Sequence, residues 1–358
     1  MSPSVIGVDL GGTKVAAAPL RDGELGPSEV RRSAKGSGEA LLDQIAELVE
    51  DLRGESLDGV GIGVPSVVEF KTGRVVSSVN VPLADIPLRQ VLGDRLGVPV
   101  FVDNDATVAA LAEAHDEQLR LTARDLVMLT IGTGVGAGFV LGGRIYRGAT
   151  GGAGEFGHTI VSLDLRRPVP PPGRFPQPGS LEAAAAGHAL DGLAEEAAAA
   201  HPDSELARLC ERRDGMLGAD AVRAALDGDP VAGEIVGLWA QRVGIGVANA
   251  INTFDPQEVV IGGGGATAGD LLLEPAVEVA RGYVHPGLGG HCLIRLARHG
   301  VRAGVLGAAL LAVHELEDAA QPDVAPPTVA AEETPTGDAE EHQPPPSRRQ
   351  RNDRRDRV

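Results

Sequence analysis

Short apolar runs and amphipathic stretches alternate along the chain. Residues 5–10 are an apolar run interrupted by Asp9, Gly11-Gly12-Thr13-Lys14 follow, and residues 15–20 resume the run. Two such runs around a glycine turn predict a β-hairpin, not a strand entering a helix. Leu41, Ile45, Leu48, Val49 and Leu52 share one helical face, which predicts a helix over 41–52. Strands are predicted at 60–64, which stops at Pro65, and at 98–102, which leads to Asp103-Asn104-Asp105. The Ala-rich stretch 106–115 reads as helix. The pattern then restarts: a strand at 126–131, a turn at Gly132-Thr133-Gly134-Val135-Gly136, and a strand at 137–141. Two halves, each opening on a glycine hairpin, suggest a duplicated architecture despite low identity between them. A loop is predicted over 168–179, a helix over 181–200, a long helix over 230–252 carrying Trp239, a strand at 259–261 ending in Gly262-Gly263-Gly264-Gly265, and a last helix over 306–316. Beyond about Asp318 large apolar residues almost vanish. Such a segment buries too little surface to offset its ordering entropy, so 318–358 is expected to be a disordered, acidic and Pro-rich tail with an Arg-rich end.

Composition narrows the class. A chain of 358 residues with 43% hydrophobic residues suits two domains. No uncharged apolar run of about 18 residues occurs, and the N-terminus lacks a signal-peptide profile, so neither a membrane span nor membrane association is expected. The net charge of −18 argues against general nucleic-acid affinity. Cys210 and Cys292 are the two cysteines, too few and too far apart for a disulfide framework or a zinc site. A reducing, cytoplasmic location is expected.

The 49 glycines concentrate where chemistry is plausible. In Asp9-Leu10-Gly11-Gly12-Thr13-Lys14, paired glycines let backbone N–H groups approach phosphate oxygens, Thr13 adds a hydroxyl, and Asp9 suits hydrated Mg²⁺. An ordinary hairpin turn fits the same residues. Lys14 completes the stretch but need not touch nucleotide, because this is not a Walker motif. Gly132-Thr133-Gly134 suits a second phosphate clasp, and the strand after it argues against a dinucleotide fold. Gly263 and Gly264 allow an adenosine to lie against the backbone, or simply make a strand-to-helix turn. Asn104-Asp105 sits between a strand and a helix, where a carboxylate can accept a proton from a hydroxyl attacking phosphorus. The alternative is that Asn104 or Asp105 merely caps the helix; both roles hold if Asp103 or Asn104 caps while Asp105 points into the cleft. Glu155 and His158, with Glu182 beyond the Pro-rich loop, suit hydroxyl recognition; the alternatives are a solvated loop and a first-turn helix acid.

The order of these clusters resembles the ROK family of sugar kinases and sugar-responsive repressors, which includes bacterial glucokinases. Asp9 to Lys14, Asp103-Asn104-Asp105-Ala106, Gly132 to Gly138, Gly143-Arg144-Ile145-Tyr146-Arg147-Gly148 and Gly151-Gly152-Ala153-Gly154-Glu155-Phe156-Gly157-His158 carry the resemblance, over about residues 5–316. It implies an α/β, two-domain, actin-like (ribonuclease-H-like) ATPase fold with a central cleft. The small N-terminal domain would span 1–122, completed by a C-terminal helix at about 304–316, and the large domain 123–303. It also implies roles: Asp105 as catalytic base; Asn104, Asp105, Glu155, His158 and Glu182 on the sugar; Asp9, Gly11, Gly12, Thr13 and Lys14 with Gly132, Thr133, Gly134, Gly263 and Gly264 on ATP and Mg²⁺. A homodimer is implied as well.

One departure stands out. The family usually carries Cys-x-Cys-Gly-x-x-Gly-Cys-Leu-Glu, whose cysteines bind zinc together with the His of Gly-His. Here Pro170-Pro171-Pro172-Gly173 and Gly179-Ser180-Leu181-Glu182 replace it, so no structural zinc is expected. The functional reading is phosphorylation of a hexose by ATP, with glucose converted to glucose 6-phosphate. Alternatives are another acceptor such as N-acetylmannosamine, fructose or allose, polyphosphate as donor, a degenerate sugar-binding module, or a sugar-sensing regulator. The last is disfavoured because family repressors carry a helix-turn-helix before the first phosphate motif, and four residues precede Val5. Val79-Asn80-Val81-Pro82 is expected to line the cleft.

Overall fold

Apolar residues on both sides of the first glycine turn pair as β1 (Val5–Leu10) and β2 (Lys14–Arg21), with Asp9 opposite Ala16. β3 (Glu24–Leu25) and β4 (Glu29–Arg32) both pair with β2. α1 (Gly38–Leu52) is capped by the Ser37 hydroxyl, which accepts from the Ala40 N–H, and buries Leu41, Leu42, Ile45, Leu48 and Val49. β5 (Gly59–Val64) runs parallel to β1. A small antiparallel sheet follows, made of β6 (Ser66–Glu69), β7 (Arg74–Ser78) and β8 (Ile86–Pro87). α2 (Leu88–Leu96) leads to β9 (Val100–Asn104), parallel to β5, and then α3 (Asp105–Glu113).

The second half repeats this plan with β10 (Leu126–Ile131), β11 (Val135–Leu141) and β12 (Arg144–Ile145). The helices α4 (Leu181–Ala185), α5 (Gly187–Ala200), α6 (Glu205–Glu211), α7 (Gly218–Leu226) and α8 (Pro230–Phe254) precede β13 (Glu258–Gly262). α9 (Asp270–Tyr283), β14 (Leu293–Leu296) and α10 (Ala303–Ala320) complete it. This computed structural model describes residues 3–34, 36–78, 81–164, 166, 168–169, 173–211 and 218–320.

The sheets read β3-β2-β1-β5-β9 and β12-β11-β10-β13-β14. Along each path the strands stand in the same order, the third, second, first, fourth and fifth of that path. Strand alternation then sets the layers. Ile6, Val8 and Leu10 face α1 and α2, whereas Val5 joins the cluster of α3 and α10. In the second sheet Val127, Leu129 and Ile131 face α8, and Leu126 and Met128 face α3 and α10. Two helices therefore lie between two sheets. Gly61 permits the close approach: a Cβ there would overlap the Ala308 carbonyl of α10. By the same alternation Asp9 and Thr130, each one residue from its strand's end, turn toward the middle layer.

Glu113, fully buried at the end of α3, locks that layer to the second sheet. It accepts from Arg295 Nη1 at 2.6 Å and from the Arg298 and His299 amides at 3.0 and 2.9 Å. Arg295 Nη2 also pairs with Glu258 at 2.7 Å.

Several sequence expectations need correction. The strand expected at 98–102 runs to Asn104, the helix after it starts at Asp105, and the strand expected from 137 starts at Val135. The single helix expected over 181–200 breaks at Ala186, whose ψ is 168. The break lets Gly187 donate to the Gly132 carbonyl at 2.7 Å, docking α5 on the second glycine turn. The last helix continues through Asp318 to Ala320, where Asp318 pairs with Arg144, so the expected disordered tail does not begin at 318. Residues 321–358, including the Arg-rich end, lie outside the described residues. Val81 is buried in the core of the first sheet rather than lining the cleft, and Val79 and Asn80 lie outside the described residues.

Candidate active site

A cavity of about 460 Å³ gathers Asn104, Asp105, Glu155, His158 and Glu182, with Gly132, Gly134 and Gly263 on its wall. These residues come from distant parts of the chain. β9 and α3 supply the first two, a 3₁₀ turn (Glu155–His158) the next two, and the first turn of α4 the last. Asp9, Gly11, Gly12, Thr13, Lys14, Thr133 and Gly264 do not line this cavity.

Asn104 caps α3. Its Oδ1 accepts from the Ala106 and Thr107 amides at 2.9 and 3.3 Å, and its Nδ2 donates to the Ser66 carbonyl at 3.4 Å. Capping therefore falls to Asn104, and Asp105 enters the cavity. One Asp105 oxygen accepts from its neighbour's amide, Ala106 N, at 2.8 Å. Burial pushes the Asp105 carboxyl up to about 6; the Ala106 amide opposes that, and the charge of Asp9 adds to it. Asp9 is itself raised by burial and lowered by Lys14. Its carboxylate lies against the first turn of α10, where a Cβ on Gly304 would come within 2.5 Å. Helix N-termini favour such a charge.

The two glycine turns are braced alike. In the first, Gly11 N donates to Lys14 O at 2.8 Å, and Ser33 holds the Gly11 and Thr13 carbonyls, from its hydroxyl at 2.7 Å and its amide at 3.1 Å. In the second, Gly132 N donates to Gly134 O at 2.9 Å, Gly187 N holds the Gly132 carbonyl, and His188 Nδ1 lies 3.0 Å from the Thr133 carbonyl. Carbonyls tied back in this way are a feature of turns that can offer their amides to an anion. Gly263 has φ +80, and a Cβ there would overlap the Ile131 carbonyl, so only glycine fits beside the second turn.

Glu182 lines the cavity and is also the first-turn helix acid considered for it. It sits in the first turn of α4, and its Oε2 accepts from the Val135 amide at 2.8 Å. His158 Nε2 lies 3.4 Å from Glu155 Oε2, and its ring meets Phe175 edge-on at 4.8 Å between centroids.

The residues at the family's zinc positions do not fit a metal. The Ser180 hydroxyl is fully buried and caps α4 by accepting from Ala183 N at 3.1 Å. Pro170, Pro171 and Pro172 lie outside the described residues and bring no side-chain donor. Among the described residues no group of three or more His, Cys, Asp or Glu converges on a metal. Backbone pairing braces the loop instead: Val161 and Ser162 donate to Gly179 O, and Leu181 donates to Thr159 O at 2.9 Å. The Gln177 amide clasps Gly173 in both directions, at 2.8 and 2.9 Å.

Sequence reasoning assigned no role to Ser33, Ser66, Thr130 or Arg147. Thr130 lines the cavity at the position Asp9 holds in the first sheet, a correspondence that the repeated strand-turn-strand pattern carried. Ser33 lies about twenty residues from the turn it braces and has no local signal.

The sequence model of the ROK family matches residues 5–315. A glucokinase from Halalkalibacterium halodurans is 34% identical over 314 residues, covering 84% of this chain and 92% of that one. An N-acetylmannosamine kinase from Salmonella paratyphi B is 35% identical over 318 residues, covering 86% and 98%. The crystal structure of a ROK family glucokinase from Streptomyces griseus with glucose and AMPPNP superposes with a TM-score of 0.72 at 32% identity, covering 87% of this chain and 99% of that one.

Proposed function

The chain belongs to the ROK family, and from that premise we propose that it transfers the γ-phosphoryl group of ATP to a hexose, with glucose the preferred acceptor. The observation that carries the reading is the part-buried carboxylate of Asp105 in one cavity with Asn104, Glu155, His158, Glu182 and the second glycine turn. Asn104, Glu155, His158 and the free oxygen of Glu182 hold the sugar hydroxyls. Gly11, Gly12 and Thr13 on one side, and Gly132, Thr133 and Gly134 on the other, hold the phosphates through backbone amides. Lys14 balances the charge of Asp9 and the nucleotide, and Gly263 and Gly264 admit the adenosine.

Asp105 accepts the proton of the primary hydroxyl as its oxygen bonds to the γ-phosphorus and the bond to the ADP oxygen breaks. A carboxyl raised to about 6 remains largely ionised at pH 7 while being a stronger base than an exposed aspartate. Asp9 would hold Mg²⁺; its part-buried carboxylate, near enough to Asp105 for the two charges to repel, fits a divalent cation that offsets both. The metal supplies charge neutralisation of the phosphates. We propose that the lobes 1–122 with 304–316, and 123–303, close over the substrates and exclude water.

Coupled ADP-release assays with Mg²⁺, ATP or polyphosphate, and a panel of hexoses test this. Turnover strongest with glucose supports the reading. A preference for N-acetylmannosamine, the acceptor in the name of one relative, keeps the mechanism and replaces the substrate. Folded protein that binds sugar without turnover with either donor refutes the kinase reading. We also propose a cytoplasmic homodimer, which light scattering and cell fractionation test.

A further inference from the structure

Arg147 has no part in the sugar or nucleotide contacts above, yet it bonds two carboxylates and covers an aromatic ring. Its side chain is 19% exposed. Nε donates to Asp103 Oδ2 at 2.7 Å and Nη2 to Glu315 Oε1 at 3.0 Å. The guanidinium stacks on Phe70, 3.4 Å from the ring centroid, and Arg89 lies on the same ring at 5.1 Å. Arg89 in turn donates to the Phe70 and Lys71 carbonyls at 2.7 and 3.0 Å.

The elements joined here are those that must act together. Arg147 follows β12 of the second sheet and opens the stretch that ends at Glu155 and His158. Its carbonyl accepts from Ala153 N at 3.1 Å, closing that stretch on itself. Asp103 belongs to β9 of the first sheet, and Glu315 to α10. Asp103 divides its two oxygens: Oδ2 takes Arg147, and Oδ1 accepts from Asn104 N at 2.9 Å. The residue fixed by that second bond is the one that caps α3 and precedes Asp105.

We propose that Arg147 is a positioning residue, which holds Asn104 and Asp105 in register with the sugar-binding stretch 151–158 through Asp103. The inference rests on the hexose-kinase reading. A planar, five-donor guanidinium bonds two carboxylates and covers a ring at once; a lysine ammonium does not. Removing it leaves Asp103, 3% exposed, without the guanidinium that bonds its Oδ2.

The test uses the full chain with Arg147→Met, Arg147→Lys, Asp103→Asn and the Arg147→Met/Asp103→Asn double variant. Each is assayed for kcat, for KM of hexose and of ATP, for sugar affinity by calorimetry, and for Tm. Arg147→Met is expected to lower kcat by about 10²-fold through misplacement of the base, and to raise the sugar Kd, with the KM for ATP within about twofold. Arg147→Lys, which keeps the charge, is expected to recover only part of kcat. In the double variant the neutral amide at position 103 needs no counter-ion, so Tm is expected to rise above that of Arg147→Met, whereas the link to the stretch 151–158 stays broken and kcat is expected to stay within about threefold of Arg147→Met. If Arg147→Met does not fold, Arg147→Lys and the double variant carry the test. Variants with unchanged kcat and sugar Kd overturn the proposal. So does a double variant whose kcat recovers together with its Tm, or losses of sugar and ATP binding that follow Tm alone. Wild-type turnover in the same assay tests the kinase reading separately: an inactive wild type sinks that reading, whereas an active wild type with indifferent variants sinks only this one.

Discussion

Asp105 carries an energetic cost that its proposed role explains, and replacing it should expose that cost. Its carboxyl stands at about 6 in the folded chain against 3.8 ordinarily, chiefly because burial disfavours the charge, with Asp9 contributing repulsion. A carboxyl raised on folding binds its proton more tightly in the native state. Stability is therefore greatest below the unfolded value and is lost as pH rises through the folded one. The difference corresponds to about 3 kcal/mol above pH 7. Asp105→Asn retains an oxygen to accept from Ala106 N and removes the charge. It is expected to be more stable than wild type by up to about 3 kcal/mol at pH 7–8, a Tm increase on the order of 5 °C. Calorimetry from pH 4 to 8.5 checks this. The Tm difference should shrink toward zero near pH 4, grow between pH 4 and 6, and level off above. Hexose kinase turnover of the same variant should fall at least about 10²-fold. A difference independent of pH, or a variant less stable at pH 8, would refute the electrostatic account. Retained turnover would refute the assignment of Asp105 as base.

Three further outcomes are expected. Ser33→Ala frees the Gly11 carbonyl, and a lost hydrogen bond of about 1 kcal/mol should raise the KM for ATP about fivefold with the hexose KM unchanged, as steady-state kinetics would show. Glu113→Ala leaves Arg295 and two backbone amides without their buried acceptor, and urea unfolding should record a loss of about 3 kcal/mol; an unchanged midpoint would mean the α3 anchor is dispensable. A zinc-selective chelator should leave Tm and turnover intact, whereas EDTA should stop turnover until Mg²⁺ is restored; a Tm that falls with the zinc chelator would contradict the backbone brace at Gly179.

The two hairpins, the long helices and the order of the chemical clusters were legible in the sequence, because those rest on local periodicity and on glycine at turns. Asp105, Glu155, His158 and Glu182 could be named from it as candidates, since their types and spacing are local facts. It could not show which residue capped α3, because Asp103 and Asn104 are chemically alike in that role. The folded chain settles the choice by giving Asp103 to Arg147, a partner 44 positions away. The break at Ala186 was equally invisible: an Ala-rich run favours one continuous helix, and only docking on the Gly132 turn divides it. The end of α10 escaped notice because its Asp318 partner, Arg144, lies in the other half of the fold. Short edge strands such as β3, β12 and β14 have too few residues for alternation to register and exist through their neighbours. Periodicity and turn chemistry act between residues a few positions apart, and so they are written in the sequence. Charge pairing, close approach and burial act between residues that only the folded chain makes neighbours.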